Sequence, residues 1–212
     1  MIHPLDAALL AALPTLPMPC YGEFTPLDES GQRLLLGSNG VFLEVRRPWL
    51  HAVAECGWID PCLRLPYGTV TPRIELPHGA LPRALVDEFL AVARERLPNE
   101  VAGAMVLDLR TGAISLRVHA DEDAGPARVR YHMERLAAHE SLVVDIHSHG
   151  ALGAGFSAQD DDDDAGATKI AVVVGRVEDE QPQIAVRLCL HGVFLPLTSG
   201  RWTNTGAIRC TA

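Results

Sequence analysis

Apolar positions recur along this 212-residue chain in two rhythms. Leu81, Leu85, Phe89, Val92 and Ala93 return at spacings of three and four residues, which predicts an amphipathic helix from about Pro82 to Arg96. Pro82 suits its first turn and Pro98 ends it. Elsewhere the apolar runs are short and rich in β-branched residues, as strands are. RLLLGSNGVFLEVR, from Arg33 to Arg46, reads as a hairpin about Asn39-Gly40. Glu100 to Val118 reads as two strands joined at Arg110-Thr111-Gly112. Leu142 to His149 and Lys169 to Val177 are nearly continuous apolar runs, the pattern of strands buried on both faces. Ile184–Leu190 and Val193–Leu197 make a last hairpin around His191-Gly192. Two further helices are expected, one from Val129 to His139 after a polar loop at Asp121–Gly125, the other starting near Ser157.

The order from residue 78 onward is then α, β, β, α, β, α, β, β, β. That order predicts an α/β fold with a mixed sheet and helices packed on it, over residues 78–200. Residues 1–77 read as a small β-rich N-terminal part. They open with a short helix stopped by Pro14 and are punctuated by Pro17, Pro19, Pro26, Pro61, Pro66, Pro72 and Pro77. Trp49–Trp58 fits strand or helix equally. Residues 201–212 are left as a C-terminal tail.

Composition narrows the function classes. Hydrophobic residues make up 48% and charged residues 21%, enough for a packed core. A net charge of −9 argues against general nucleic-acid binding, which needs a basic face. Cys20, Cys56, Cys62, Cys189 and Cys210 are odd in number and form no C-x-x-C pair, as expected in a reducing compartment. The Ala/Leu run near the N-terminus lacks a basic flank, and no apolar stretch is long enough to span a bilayer. A cytoplasmic protein without membrane contact is expected.

The chemistry concentrates in DIHSHGALGAGFSAQD, from Asp145 to Asp160. The stretch reads as strand, glycine-rich loop and helix start. His147 and His149 stand two apart, so on a strand both imidazoles project from one face. Ser157 can cap the new helix, and Asp160 in its first turn can face the histidines. Two imidazoles and one carboxylate are three ligands for Zn2+ with a fourth position left open, as in catalytic zinc sites. Such a site needs a base that is not itself a ligand. Glu100, at the head of a strand after Leu97-Pro98-Asn99, is the candidate.

Pro98-Asn99-Glu100-Val101-Ala102-Gly103, taken with His147-Ser148-His149 and Ser157-Ala158-Gln159-Asp160, resembles the JAMM (MPN+, JAB-like) zinc metalloprotease family over roughly residues 80–197. The layout with an N-terminal extension resembles the bacterial PRTRC system protein A group. The resemblance implies a cytidine-deaminase-like MPN fold, with Zn2+ on His147, His149 and Asp160. It further implies Glu100 as general base and Ser157 as hydrogen-bond donor to the reacting oxygen. It implies hydrolysis of a peptide or isopeptide bond at the C-terminus of a ubiquitin-like protein, and a system that also encodes an activating-enzyme homologue. Many relatives have proline after the second histidine. This chain has Gly150, so a looser Gly150–Phe156 loop is expected. Insertions that grip ubiquitin in eukaryotic relatives are missing, which argues against ubiquitin itself as substrate.

Other residues read more plainly. Of the five acids Asp160–Asp164, the last four are expected in solvent at the positive end of a helix. Asp145 either steadies an imidazole or is solvated. Trp49, Trp58 and Trp202 are expected to pack. Two alternatives to a hydrolase stand: a JAMM-fold binding module without turnover, and a zinc nucleobase deaminase. The latter needs H-x-E with P-C-x-x-C, and neither Pro19-Cys20 nor Pro61-Cys62 is followed by the second cysteine.

Overall fold

The computed structural model describes residues 2–60, 62–79, 81–119, 121–125, 128–131 and 135–197, with backbone alone described at 121–125 and 128–131. The chain falls into two compact units that divide between Pro77 and His78.

The first unit opens with α1 (Pro4–Ala12), which buries none of its residues. β1 (Thr15–Pro17), β2 (Gly31–Gly37), β3 (Gly40–Arg47), β4 (Leu50–Gly57) and β5 (Arg73–Glu75) follow and form one sheet in chain order. β1 runs parallel to β2 and the remaining pairs are antiparallel. Leu35, Phe42, Val53 and Val70 form its core, with Leu16, Met18 and Phe24 against them. The ambiguous 49–58 segment is strand β4, and Trp49 is buried at its head while Trp58 is exposed, contrary to the packing role expected of it.

The second unit contains α2 (Arg83–Glu95), β6 (Ala102–Asp108), β7 (Ile114–Val118), β8 (Asp121–Gly125), β9 (Arg128–Tyr131), β10 (Glu140–Ser148), α3 (Ala158–Asp164), β11 (Thr168–Gly175), β12 (Gln183–Leu190) and β13 (Val193–Pro196). Six strands form a mixed sheet in the order β13-β12-β11-β10-β6-β7, with β10 and β11 parallel and the other pairs antiparallel. The parallel pair is central and buried, as its unbroken apolar runs require. Phe89 of α2 lies over Gly103, where an added Cβ would sit 3.5 Å from its ring. Gly103 pairs with Ile146, so α2 covers the face that carries Ile146. His147, one residue on, faces the other way.

The helix expected over Val129–His139 does not form. β8 and β9 pair as a separate antiparallel hairpin there, and residues 135–139 run through irregular chain into a turn. Arg-Val-Arg-Tyr at 128–131 alternates with period two, the rhythm of the strand that forms. Residues 132–134 and the expected tail at 201–212, with Trp202 and Cys210, lie outside the described residues. Among those described, no helix is long and apolar enough to cross a membrane.

Candidate metal centre

The site lies at the C-terminal end of β10, where two tethers fix the backbone. Ser148 N donates to Val101 O and Val101 N donates to Ser148 Oγ, both at 2.9 Å. His149 N donates to Val174 O at 2.8 Å and extends the pairing towards β11. Ser148 points into the core at 1% exposure, so the alternation of the strand turns His147 and His149 together to the other face. The antiparallel register pairs His147 with Ala102. Carried two residues further, it sets Glu100 opposite His149.

His147, His149 and Asp160 each offer one ligand atom, and the three atoms lie within 4.8 Å of one another. The two Nε2 atoms are 3.1 Å apart, and His147 Nε2 is 3.4 Å from Asp160 Oδ1. A tetrahedral zinc with bonds of about 2.0–2.1 Å holds its ligand atoms about 3.3 Å apart, so these side chains fit that ion with little movement. His149 Nδ1 stands 3.4 Å from Gly153 O. A proton kept on Nδ1 for that carbonyl leaves the Nε2 lone pair for a metal. Burial, with the neighbouring His149 adding to it and outweighing Asp160, lowers the pKa of His147 and favours its neutral, ligating form.

Asp160 divides its carboxylate between two tasks. Oδ2 accepts from Ser157 N at 2.6 Å and from Ser157 Oγ at 2.7 Å, while Ser157 Oγ accepts from Asp160 N at 3.2 Å. This is a capping box closing the first turn of α3. Oδ1 is left facing His147. The one hydroxyl proton of Ser157 is therefore held by Asp160, and donation to a reacting oxygen requires that hydroxyl to turn.

Glu100 is 6% exposed. Burial raises its pKa, and Asp160 raises it further against the opposing pull of His149. A buried carboxyl that feels the charges of both His149 and Asp160 and is pushed upward is suited to proton transfer.

The loop that joins β10 to α3 is pinned rather than loose. Val177 N donates to Gly150 O at 3.0 Å, Arg176 N to Leu152 O at 2.7 Å and Ala154 N to Gln183 Oε1 at 3.2 Å. Gly150 turns through φ +52°, which proline cannot adopt. Gly150 thus makes a turn that a proline at this position would not allow. The loop also presses on Gly175, where a Cβ would meet Ala154 N at 2.2 Å.

The acid run does not lie wholly in solvent. Asp164 is 4% exposed and pairs with Lys169 Nζ at 2.6 Å and Arg187 Nη2 at 2.7 Å. Asp161 pairs with Arg187 Nη1. Asp145 is not solvated, and Lys169 Nζ reaches its Oδ2 at 2.5 Å. Lys169 and Arg187 escaped the sequence reading. Their signal was a single charge at an inward position of an otherwise apolar strand, in KIAVVVG and QIAVRLCL.

Residues 82–189 match the family described as prokaryotic homologs of the JAB domain. The chain belongs to that family. The JAB-like domain is preceded by residues 3–77, which match a domain of unknown function, DUF2016. The solution structure of protein DSY2949 from Desulfitobacterium hafniense is similar at 19% identity, covering 54% of this chain and 86% of that one, with a TM-score of 0.41. No curated protein matches the chain. The mixed α/β architecture of residues 78–197, preceded by a β-rich N-terminal part, is consistent with a JAB-like domain.

Proposed function

We propose that the JAB-like domain is a zinc metallopeptidase or isopeptidase of the JAMM type. Its substrate is a peptide or isopeptide bond at the C-terminus of a ubiquitin-like protein. The observation that carries this reading is the buried Glu100 carboxyl beside the cluster of His147, His149 and Asp160. A purely structural metal site has no use for it.

His147 Nε2, His149 Nε2 and Asp160 Oδ1 would hold the ion. Bound there, zinc supplies Lewis-acid polarisation of the scissile carbonyl and makes a water easier to deprotonate. Glu100 takes a proton from the attacking water as the new C–O bond forms. It then delivers that proton to the leaving amine as the C–N bond breaks. Ser157 turns its hydroxyl from Asp160 to the developing oxyanion and donates to it. The Gly153 carbonyl holds His149 in the ligating tautomer.

A PRTRC-type setting, with a ubiquitin-like protein and an activating-enzyme homologue as partners in the cytoplasm, belongs to the same proposal. The second reading is a binding module of the same fold without turnover, and one observation favours it: the Ser157 proton is already engaged by Asp160. Incubation with a ubiquitin-like fusion, followed by mass spectrometry, separates the two. The peptidase reading expects one C-terminal cleavage, abolished by a chelator, restored by zinc and lost in Glu100→Gln. Binding of the fusion without cleavage by the zinc-loaded wild type favours the module.

A further inference from the structure

α3 has features that work against it as an isolated helix. It is seven residues long, and helices of that length are marginal alone. Five of the seven residues are aspartates, its last turn has no basic residue, and Asp164 stands at its negative end. Yet this helix carries Asp160. Something outside it must fix the position of that carboxylate.

The sheet beneath supplies the fixture. Asp145 pairs in register with Ala171, and Ala171 with Arg187. Asp145, Lys169, Ala171, Arg187 and Cys189 thus project from the face that carries His147. Arg187 reaches both sides of the Ser157–Asp160 turn. Downstream of it, the guanidinium binds Asp161 through Nη1 and Asp164 through Nε and Nη2. Upstream, it lies 3.9 Å from the centre of the Phe156 ring, the residue just before Ser157. Phe194 closes the other contact at 4.1 Å. The planar fork takes two carboxylates at its edge and aromatic rings at its faces, a combination that lysine cannot reproduce.

We propose that Arg187 is a positioning residue for the metal edge: it clamps Phe156, Asp161 and Asp164 so that Asp160 Oδ1 is held towards His147. Lys169 secures the far end through Asp164 and ties it to Asp145 on the histidine strand. The clamp rests on the metal reading above, and the test keeps the two apart.

Zinc affinity of the full chain is measured by competition with a chromophoric chelator for wild type, Arg187→Met, Arg187→Lys and Asp161→Asn. Hydrogen exchange of peptides covering 150–165 is followed in the metal-free proteins. A clamp predicts at least tenfold weaker zinc binding in Arg187→Met and partial rescue in Arg187→Lys. It predicts a smaller loss in Asp161→Asn, whose exposed side chain leaves the core intact. Exchange should quicken in 150–165 and stay unchanged in 102–108. Wild-type affinity in both Asp161→Asn and Arg187→Lys, with unaltered exchange in 150–165, overturns it. If Arg187→Met fails to fold, those two variants decide. If the wild type binds no zinc, the metal reading fails, and the exchange data alone decide whether Arg187 orders the turn.

Discussion

Val101 and Ser148 are joined by two hydrogen bonds that run in opposite directions, backbone N–H to hydroxyl one way and N–H to carbonyl the other, both at 2.9 Å. Each residue neighbours a member of the site, Glu100 on one side and His147 and His149 on the other. The pair thus brings a carboxylate just ahead of β6 to imidazoles at the end of β10, forty-odd residues later in the chain. Ser148→Ala strands a buried N–H and should cost about 1–3 kcal/mol in denaturant unfolding. It should also lower any hydrolytic rate more than it lowers zinc content, because the histidine strand keeps its other partner, β11. A loss of zinc equal to the loss of rate would assign the tether a role in the metal ligands themselves.

Glu100→Gln keeps the shape of the side chain and removes the base. Zinc stoichiometry should remain at the wild-type value while cleavage falls by about a hundredfold or more. Wild-type turnover in this variant would remove Glu100 from the chemistry.

Gly175→Ala puts a methyl group into the backbone of the 152–154 loop, with contacts of 2.2–2.4 Å to Ala154 N, Gly153 C and Leu152 O. Backbone atoms cannot swing aside as a flexible side chain can. A stability loss of about 1–3 kcal/mol is expected, with weaker zinc binding because the loop also carries the carbonyl that orients His149. Gly150→Ala, strained at φ +52°, should cost about 1–2 kcal/mol. Equal melting temperatures for wild type and both variants would show that the loop is not pressed against β11.

The N-terminal unit offers a pH test independent of the metal. Glu44 is fully buried in its sheet. Burial pushes its carboxyl upward, but hydrogen bonds from His51, the Leu27 N–H and Arg33 prevail and hold it below the ordinary glutamate range. A depressed folded pKa gives stability that is complete above the unfolded value and is lost as pH falls through the folded one. The stability gap between wild type and Glu44→Gln should therefore be widest above about pH 5 and should narrow as acid is added. A gap that is constant from pH 7 to pH 3 would contradict the ion-paired carboxylate.

What could be read from the chain follows the range of each interaction. His147 and His149 are legible because a strand fixes their common face within three residues, and Ser157 and Asp160 because one helical turn joins them. Glu100 is different. Its approach to His149 depends on the register of two strands far apart in sequence, so its place at a strand head makes it only a candidate until the family resemblance is added. Asp164 was hidden inside a run that looks like a solvated helix start, and its partners Lys169 and Arg187 lie on strands read as simply apolar. The 128–131 segment is ambiguous in the sequence because a few apolar residues at helical spacing also fit the two-residue alternation of the strand that forms.

The decisive measurement is zinc content by elemental analysis of the purified full chain, beside His147→Ala, His149→Ala and Asp160→Ala. One zinc per chain is expected in the wild type, with loss in each variant whose fold is intact by circular dichroism. A wild type that takes up no zinc from buffer, or a His149→Ala variant with undiminished zinc, would contradict a metal held by these three side chains.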